Sequence, residues 1–523
     1  MKPHPPNPNP KSSSRWQSPR TLTLVLGAGA AVVSGCEEPA VPTALDLAPS
    51  FAHTEAPGAA WGWESVGPLG TARRDHAAAL LHDGTVLIVG GTGAGPAELF
   101  DPATGTFSDL GPTAVDRTQL VTATTLQDGT VLIVGAPGAP EFGEIYDPVV
   151  QTFTLTDGRT SAVREAHSAT LLTDGRVLLA GGQNAGPETH SQAELYDPTT
   201  RQFAPTGDLV VDRGGHGATL LADGRVLVAG GTQTTSPGIG NALASAETYD
   251  PGTGLFTAVG SMSIPRGGLG LLGMPRLAGG EVLVAGGFAQ TVVELFDPAT
   301  GTFRASGSLT SPHSAGTSRL LTDGSVLIAG GNTGVGPVVT ATAEVYDPAS
   351  GSFSVAASMG VPRQEHTATV LLDGSVLVTG GYGGLAVGEL ASAERFAPQV
   401  TEVDIAIKPG GDPNTVICTV GNNLIPVAVL TTDAFDATTV DHETLGFEGA
   451  GEFHLGPDDS APLRHERDVD DDGDLDLVAH FRLGDTGLDC ESTSGTLLGA
   501  TFDNRAIRGT DRLRMITGSV RGS

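Results

Sequence analysis

Between about Trp63 and Pro398 short apolar runs alternate with polar turns on a period of roughly 50 residues, seven times over. Each unit begins with two apolar runs around an Asp-Gly pair, reading H-x-A-T-L-L-x-D-G-x-V-L-x-x-G-G, and after a variable stretch continues A-E-x-Y-D-P-x-T-G-x-F. Runs this short, with little 3.6-residue spacing, predict strands and no long helices. An Asp-Gly pair between apolar runs predicts a type I′ hairpin, because Gly accepts the positive φ that the strand twist requires. Such pairs stand at Asp83-Gly84, Asp128-Gly129, Asp174-Gly175, Asp223-Gly224, Asp323-Gly324 and Asp373-Gly374, with Gly279-Gly280 in the fifth unit. The A-E-x-Y-D-P segment predicts a third strand. A fourth follows the D-P-x-T-G turn at Phe107, Phe153, Phe203, Phe256, Phe303 and Phe353.

Seven hairpins thus have six fourth strands downstream of them. The seventh is expected at Trp63-Glu64-Ser65-Val66-Gly67, which matches Phe203 to Gly207, while the last unit stops after its third strand at Phe396-Ala397-Pro398. This offset lets the N-terminal strand complete the last sheet and removes exposed edges. The glycine doublets (Gly90-Gly91, Gly181-Gly182, Gly230-Gly231, Gly286-Gly287, Gly330-Gly331, Gly380-Gly381), the E-x-Y-D-P strand and the late aromatic resemble kelch repeats of the bacterial, galactose-oxidase-like type. The pattern departs from them in having Gly135-Ala136 in the second unit and Phe where Trp is usual. The expectation is an all-β chain: a seven-bladed propeller over 61–398, then a small β-sandwich-like domain over 403–517.

Repetition separates scaffold from site. The third-strand glutamates (Glu98, Glu144, Glu194, Glu247, Glu294, Glu344, Glu394) recur in every unit and are read as structural partners. The R-x-x-H element ahead of the first strand is complete at Arg73/His76, Arg164/His167, Arg213/His216 and Arg363/His366; Arg117 and Arg266 keep only the Arg, and His313 replaces it in the sixth unit. These residues are candidates near the channel mouth, either as a positive ring for acidic ligands or as internal partners of carbonyls and carboxylates. Loops after the glycine doublets vary in length and composition, and variable loops on a rigid scaffold carry binding. They are expected to meet a protein or glycan. Among them only Phe288, Tyr382 and His190 stand out as ring-bearing side chains. The alternative is a carbohydrate-active hydrolase or epimerase at the channel mouth. The galactose-oxidase-like resemblance would imply a copper radical oxidase, whose centre needs a cysteine cross-linked to tyrosine. The propeller segment has no cysteine, so no copper is expected.

From about Val403 the repeat ends. VDIAIKPGGDPN, LIPVAVLTTDAFDATTV and LDLVAHF read as strands broken by turns, and the text resembles a module found at the end of secreted bacterial repeat proteins. Asp468, Asp470, Asp472, Asp474 and Asp476 alternate around Gly473. Oxygen ligands at every second residue with glycine at the sixth place suit a structural Ca²⁺, bound with the affinity of extracellular modules, on the order of 10⁻⁴ to 10⁻³ M. The twelfth place, Glu in an EF-hand, is Ala479, so a further ligand such as Asp458 or Asp459 is needed. A solvated acidic turn is the alternative. Cys418 and Cys490 would pair in an oxidising compartment, closing a loop worth roughly 4 kcal/mol in the chain-entropy model; two free thiols are the other possibility.

The N-terminus indicates that compartment. Lys11, Arg15 and Arg20 precede an apolar run over 22–33, too short for a membrane span. It ends Val33-Ser34-Gly35-Cys36, which resembles a bacterial lipobox, so 1–36 is read as a lipoprotein signal peptide with lipid on Cys36, and 37–60 as a flexible tether. An ordinary signal peptide is the alternative. The expected location is extracytoplasmic, anchored to a bacterial membrane at the periplasm or cell surface. The net charge of −31 repels phosphate backbones and argues against nucleic-acid partners.

Overall fold

The computed structural model describes residues 61–93, 95–118, 120–135, 142–183, 188–234, 240–288, 290–334, 338–407, 415–417, 424–432, 434–451, 465–502 and 506–516. Among them, seven antiparallel sheets of three or four strands follow one another from Trp61 to Pro398, with a two-stranded ribbon, Thr232–Thr234 and Gly240–Ala242, beside the fourth. The fourth is representative: Gly217–Leu220, Val226–Ala229, Ala246–Asp250 and Leu255–Ala258, paired in that order. The second strand of each blade is buried on both faces, as its unbroken apolar run requires. Outside it, the third-strand Tyr or Phe meets the late Phe, as in Tyr249–Phe256 with centroids 4.8 Å apart.

Closure follows the offset read from the sequence. Trp61–Val66 pairs with Ala393–Pro398, Trp63 opposite Phe396, and the two rings lie 5.0 Å apart. The inner strand Thr367–Val370 lies beside Ala77–Leu80, the inner strand of blade one. The glycine doublets join successive blades. The Gly231 N–H donates to the Arg266 carbonyl at 2.8 Å, and Gly381 donates to the Arg73 carbonyl at 2.8 Å across the closure. Gly230 and Gly231 have φ of 64° and 88°, and a Cβ on Gly230 would lie 2.6 Å from the Arg266 oxygen. Only glycine fits there.

Blade five departs from expectation. Its Gly279-Gly280 turn forms, with Gly280 N–H donating to the Leu277 carbonyl at 2.9 Å, but no inner strand precedes it. A helical turn, Leu269–Leu272, lies there instead, against the inner strands of blades four and six. The segment from Arg266 to Leu277 is three residues longer than its counterpart from Arg213 to Leu221 and contains Pro275, which cannot donate to a ladder.

The C-terminal module begins with Val400–Glu402, which pairs in parallel with Ala506–Arg512. A five-stranded and a four-stranded sheet enclose one core, to which Phe447, Leu497 and Ile507 contribute from one side and Ile407, Val427 and Phe481 from the other. That is a sandwich.

Candidate functional site

The repeated charged residues form one internal tie per blade. Arg73, Arg117, Arg164, Arg213, Arg266, His313 and Arg363 are all buried, each 2.6 to 3.1 Å from the glutamate of its own third strand. In blade four, Arg213 Nη2 donates to Glu247 Oε1 at 2.7 Å and Nη1 to the Gly230 carbonyl at 2.8 Å. Glu247 also accepts from the Val210 and Val211 N–H groups at 2.6 and 3.0 Å. Burial pushes the Arg117, Arg164, Arg213, Arg266 and Arg363 guanidiniums down, and the facing glutamates oppose this. A positive ring open to acidic ligands therefore gives way to seven scaffold contacts.

The histidines of the same element clasp neighbouring blades. His76, His167, His216 and His366 share Nε2 hydrogen bonds with Thr367, Thr122, Ser168 and Thr317, the first inner-strand residue of the preceding blade, at 2.9 to 3.1 Å. Burial, then the adjacent arginines, lowers all four, His76, His167 and His216 to about 3.

The two positions between Arg and His differ from blade to blade, and they line the channel mouth. The second has a left-handed backbone throughout the described blades: Asp75 (53°), Ala166 (52°), Gly215 (62°), Gly268 (71°), Ala315 (54°) and Glu365 (56°). Hydrogen bonds run around the axis through it, from Glu365 N–H to Ala315 O (2.9 Å), Asp75 N–H to Glu365 O (3.1 Å) and Leu120 N–H to Asp75 O (3.0 Å). The first position pairs with the residue after the glycine doublet, as Gln364 does with Tyr382. Sequence reasoning named the Arg and His and passed over these two. Their variation, Arg74-Asp75 against Gly214-Gly215 or Gln364-Glu365, was the available signal.

Over blades five to seven this mouth opens into a cleft of about 420 Å³ whose lining includes Phe288, Ser314, Asn332, Gln364, Glu365 and Tyr382. Asn332 Nδ2 donates to Gln364 Oε1 (2.8 Å), and Gln364 Nε2 to Glu365 Oε1 (3.0 Å). Arg74 donates to Glu365 Oε2 at 3.0 Å and lies 4.7 Å above the Tyr382 ring. Asp75 is raised to about 6 by burial and by Glu365, with Arg74 opposing. Phe288 rests over Gly267, where a Cβ would come within 2.3 Å of its ring. Phe288 is 58% exposed, and Val338, Leu385 and Val387 on the loops of blades six and seven are 55, 83 and 62% exposed. Of the ring-bearing loop residues, His190 lies apart, half-buried, with Nε2 3.3 Å from the Val163 carbonyl.

In the C-terminal module Asp468, Asp470 and Asp476 each bring a carboxylate oxygen within 4.8 Å of the others. Asp476 is fully buried and fixed by N–H donors, Thr431 at 2.8 Å and Val469 at 2.9 Å. Asp468 Oδ2 accepts from Gly473 at 3.1 Å, while its buried Oδ1 has no hydrogen-bond partner. Asp470 is raised by desolvation, then by Asp472 and Asp476. A hard cation fits this set: it would answer the orphaned oxygen and the mutual repulsion. Asp472 and Asp474 stand outside the trio, exposed, with Asp474 N–H donating to Asp472 at 3.0 Å. Cys490 is disulfide-bonded. Cys36, Cys418, Asp458 and Asp459 lie outside the described residues.

No family model and no curated protein matches the sequence. Among solved structures the chain is similar to a fungal alcohol oxidase of the AA5 family in complex with copper, at 16% identity over 87% of this chain and 100% of that one, TM-score 0.53. It also matches YjhT at 16% identity over 55% of this chain and 99% of that one, TM-score 0.44. The likeness to the oxidase is one of fold: a galactose-oxidase-like β architecture.

Proposed function

We propose that this chain is a binding and scaffolding module of a bacterial cell envelope, anchored by lipid on Cys36, that meets a protein or glycan through the variable-loop face of its propeller. The observation that carries this reading is the cleft of blades five to seven, lined by Phe288 and Tyr382, together with the exposed Val338, Leu385 and Val387 on the loops of the same blades. A cleft with an exposed aromatic at its edge suits recognition of a partner. A carbohydrate-active enzyme is the weaker reading, because the basic residues it would use are buried against glutamates. In this reading Ca²⁺ held by Asp468, Asp470 and Asp476 stiffens the C-terminal module, and a Cys418–Cys490 bridge fits an oxidising compartment. The charge of −31 favours no nucleic-acid partner.

The test is Phe288→Ser combined with Leu385→Asp in the full chain, assayed against envelope proteins and a glycan array. Binding should weaken about tenfold or more, as for loss of a central apolar anchor, with the melting temperature unchanged. Unaltered binding in the folded variant defeats the reading. Separately, Cys36→Ser should move the protein from the membrane fraction to the soluble one.

A further inference from the structure

Blade six compensates for the irregularity of blade five. Four other inner strands carry Ala-Thr at their second and third places, Ala123-Thr124, Ala169-Thr170, Ala218-Thr219 and Ala368-Thr369, and blade one carries Ala78-Ala79; blade six carries Ser318-Arg319. Ser318 Oγ donates to the Leu272 and Gly273 carbonyls at 3.0 and 3.1 Å, groups that the helical turn leaves without a strand partner. Arg319 Nη1 donates to the Ser318 carbonyl at 2.7 Å and reaches the Leu272 carbonyl at 3.4 Å, and Nε donates to the Ala368 carbonyl of blade seven at 2.7 Å. These bonds explain a polar pair here. They do not explain a full positive charge.

Burial pushes Arg319 down to about 10, and no carboxylate opposes it. Five of the scaffold arginines, by contrast, have a glutamate opposing the same effect. The side chain is nevertheless partly exposed. Its strand, Thr317–Leu320, is flanked by the helical turn of blade five and by Thr367–Val370 of blade seven, and backed by Val326–Ala329. The inner strand is the one nearest the axis of a propeller, so we infer that the uncovered part of Arg319 faces the axial channel. Among the described residues Nη2 has no protein partner.

We propose that Arg319 makes the axial channel a binding site for one oxyanion, a carboxylate, sulfate or phosphate group, taken up on Nη2, the guanidinium nitrogen that the Ser318, Leu272 and Ala368 carbonyls leave free. An uncompensated charge in a protein interior is unfavourable, and an anion relieves it. Nη2 keeps two N–H donors, and hydrogen bonds from a charged donor to an anionic oxygen are strong. With a net charge of −31 the chain offers anions no general attraction, so affinity here is set by this one side chain. The site is independent of the loop-face cleft and stands whether or not that face binds a partner.

Calorimetric titration of the full-length protein with sodium sulfate, phosphate and acetate, at ionic strength fixed with sodium chloride, tests it. Saturable binding of one anion per chain is expected, weakened about tenfold or more in Arg319→Gln. Arg319→Lys, which keeps the charge but not the fork, should fall between; it serves alone if the Gln variant does not fold. Sulfate or phosphate preferred over acetate assigns the site to a free inorganic oxyanion. Acetate bound at least as well assigns it to the carboxylate of a larger ligand. Absence of saturable binding in the wild type, or equal affinity in a folded Arg319 variant, overturns the proposal.

Discussion

Acid should loosen the blade-to-blade clasps, and His216 shows how much. Its imidazole is 1% exposed, bonded to Ser168 Oγ at 2.9 Å, and lowered from 6.5 to about 3. The folded pKa lies below the unfolded one, so between them the unfolded chain binds the extra proton. The neutral clasp is therefore intact above pH 6.5, and stability is lost as the pH falls below it. At pH 5 the unfolded histidine is almost fully charged and the folded one almost fully neutral, so this residue costs about 2 kcal/mol relative to pH 8. The figure hardly changes for any folded value below about 4. His76 and His167 add similar amounts and His366 acts in the same direction. Asp75, raised to about 6, acts in the opposite sense, since its protonated form is the one favoured by the fold, and it partly offsets the loss.

The molecule contains its own control. Where the histidine position holds Leu120, the preceding inner strand starts with Ala77; where it holds Leu269, that strand starts with Gly217. Clasp and hydroxyl are present together or absent together. His216→Leu alone should cost about 1–3 kcal/mol by stranding the Ser168 hydroxyl, and adding Ser168→Ala should recover part of that. Urea titrations at pH 8 and pH 5 should show the double variant losing about 2 kcal/mol less on acidification than the wild type. An unchanged acid dependence, or an NMR titration placing His216 near 6.5, refutes the argument.

Other outcomes follow from the same geometry. Arg213→Leu should destabilise by about 3–5 kcal/mol in a denaturant titration, because it leaves Glu247 buried and charged, whereas Arg213→Leu with Glu247→Leu should recover most of the loss. Gly230→Ala should lower the melting temperature sharply, since a Cβ there meets the Arg266 carbonyl at 2.6 Å, while Gly279→Ala, with open space around it, should not. Wild-type protein should gain about 2 kcal/mol at free Ca²⁺ some thirtyfold above its Kd. Asp468→Asn with Asp470→Asn should abolish that gain, and a calcium response that survives counts against the trio.

The architecture was legible because each local signal has one physical solution. Asp-Gly between apolar runs makes a hairpin, a glycine doublet makes a close crossing, and Trp63 resembles Phe203 closely enough to assign it to the far end of the chain. Blade five was misread because Gly279-Gly280 preserves the turn while Pro275 and three added residues prevent the strand before it. In the Asp loop, alternation runs through five aspartates, of which Asp468, Asp470 and Asp476 bring carboxylate oxygens within 4.8 Å of one another. Gly473 at φ 102° and Asp471 at φ 63° bend the backbone out of strand geometry, so every second carboxylate no longer points the same way.

The propeller's individuality lies at positions that carry no motif. Arginine, glutamate and glycine recur because each blade must hold its incoming loop and dock onto the next, and a residue fully engaged in that task has no valence left for a ligand. What can vary is whatever that task leaves to the side chain: the two residues after each arginine, the loop tips, and the edge that faces the axis. A repeat pattern finds the first class by their sameness. The second class becomes visible only when the repeats are subtracted from one another, which is how Arg74-Asp75, Gln364-Glu365 and Ser318-Arg319 stand apart from their counterparts. On this argument a change of side chain at Arg74, Gln364 or Arg319 should alter recognition more than folding, and a change at the repeated arginines should do the reverse.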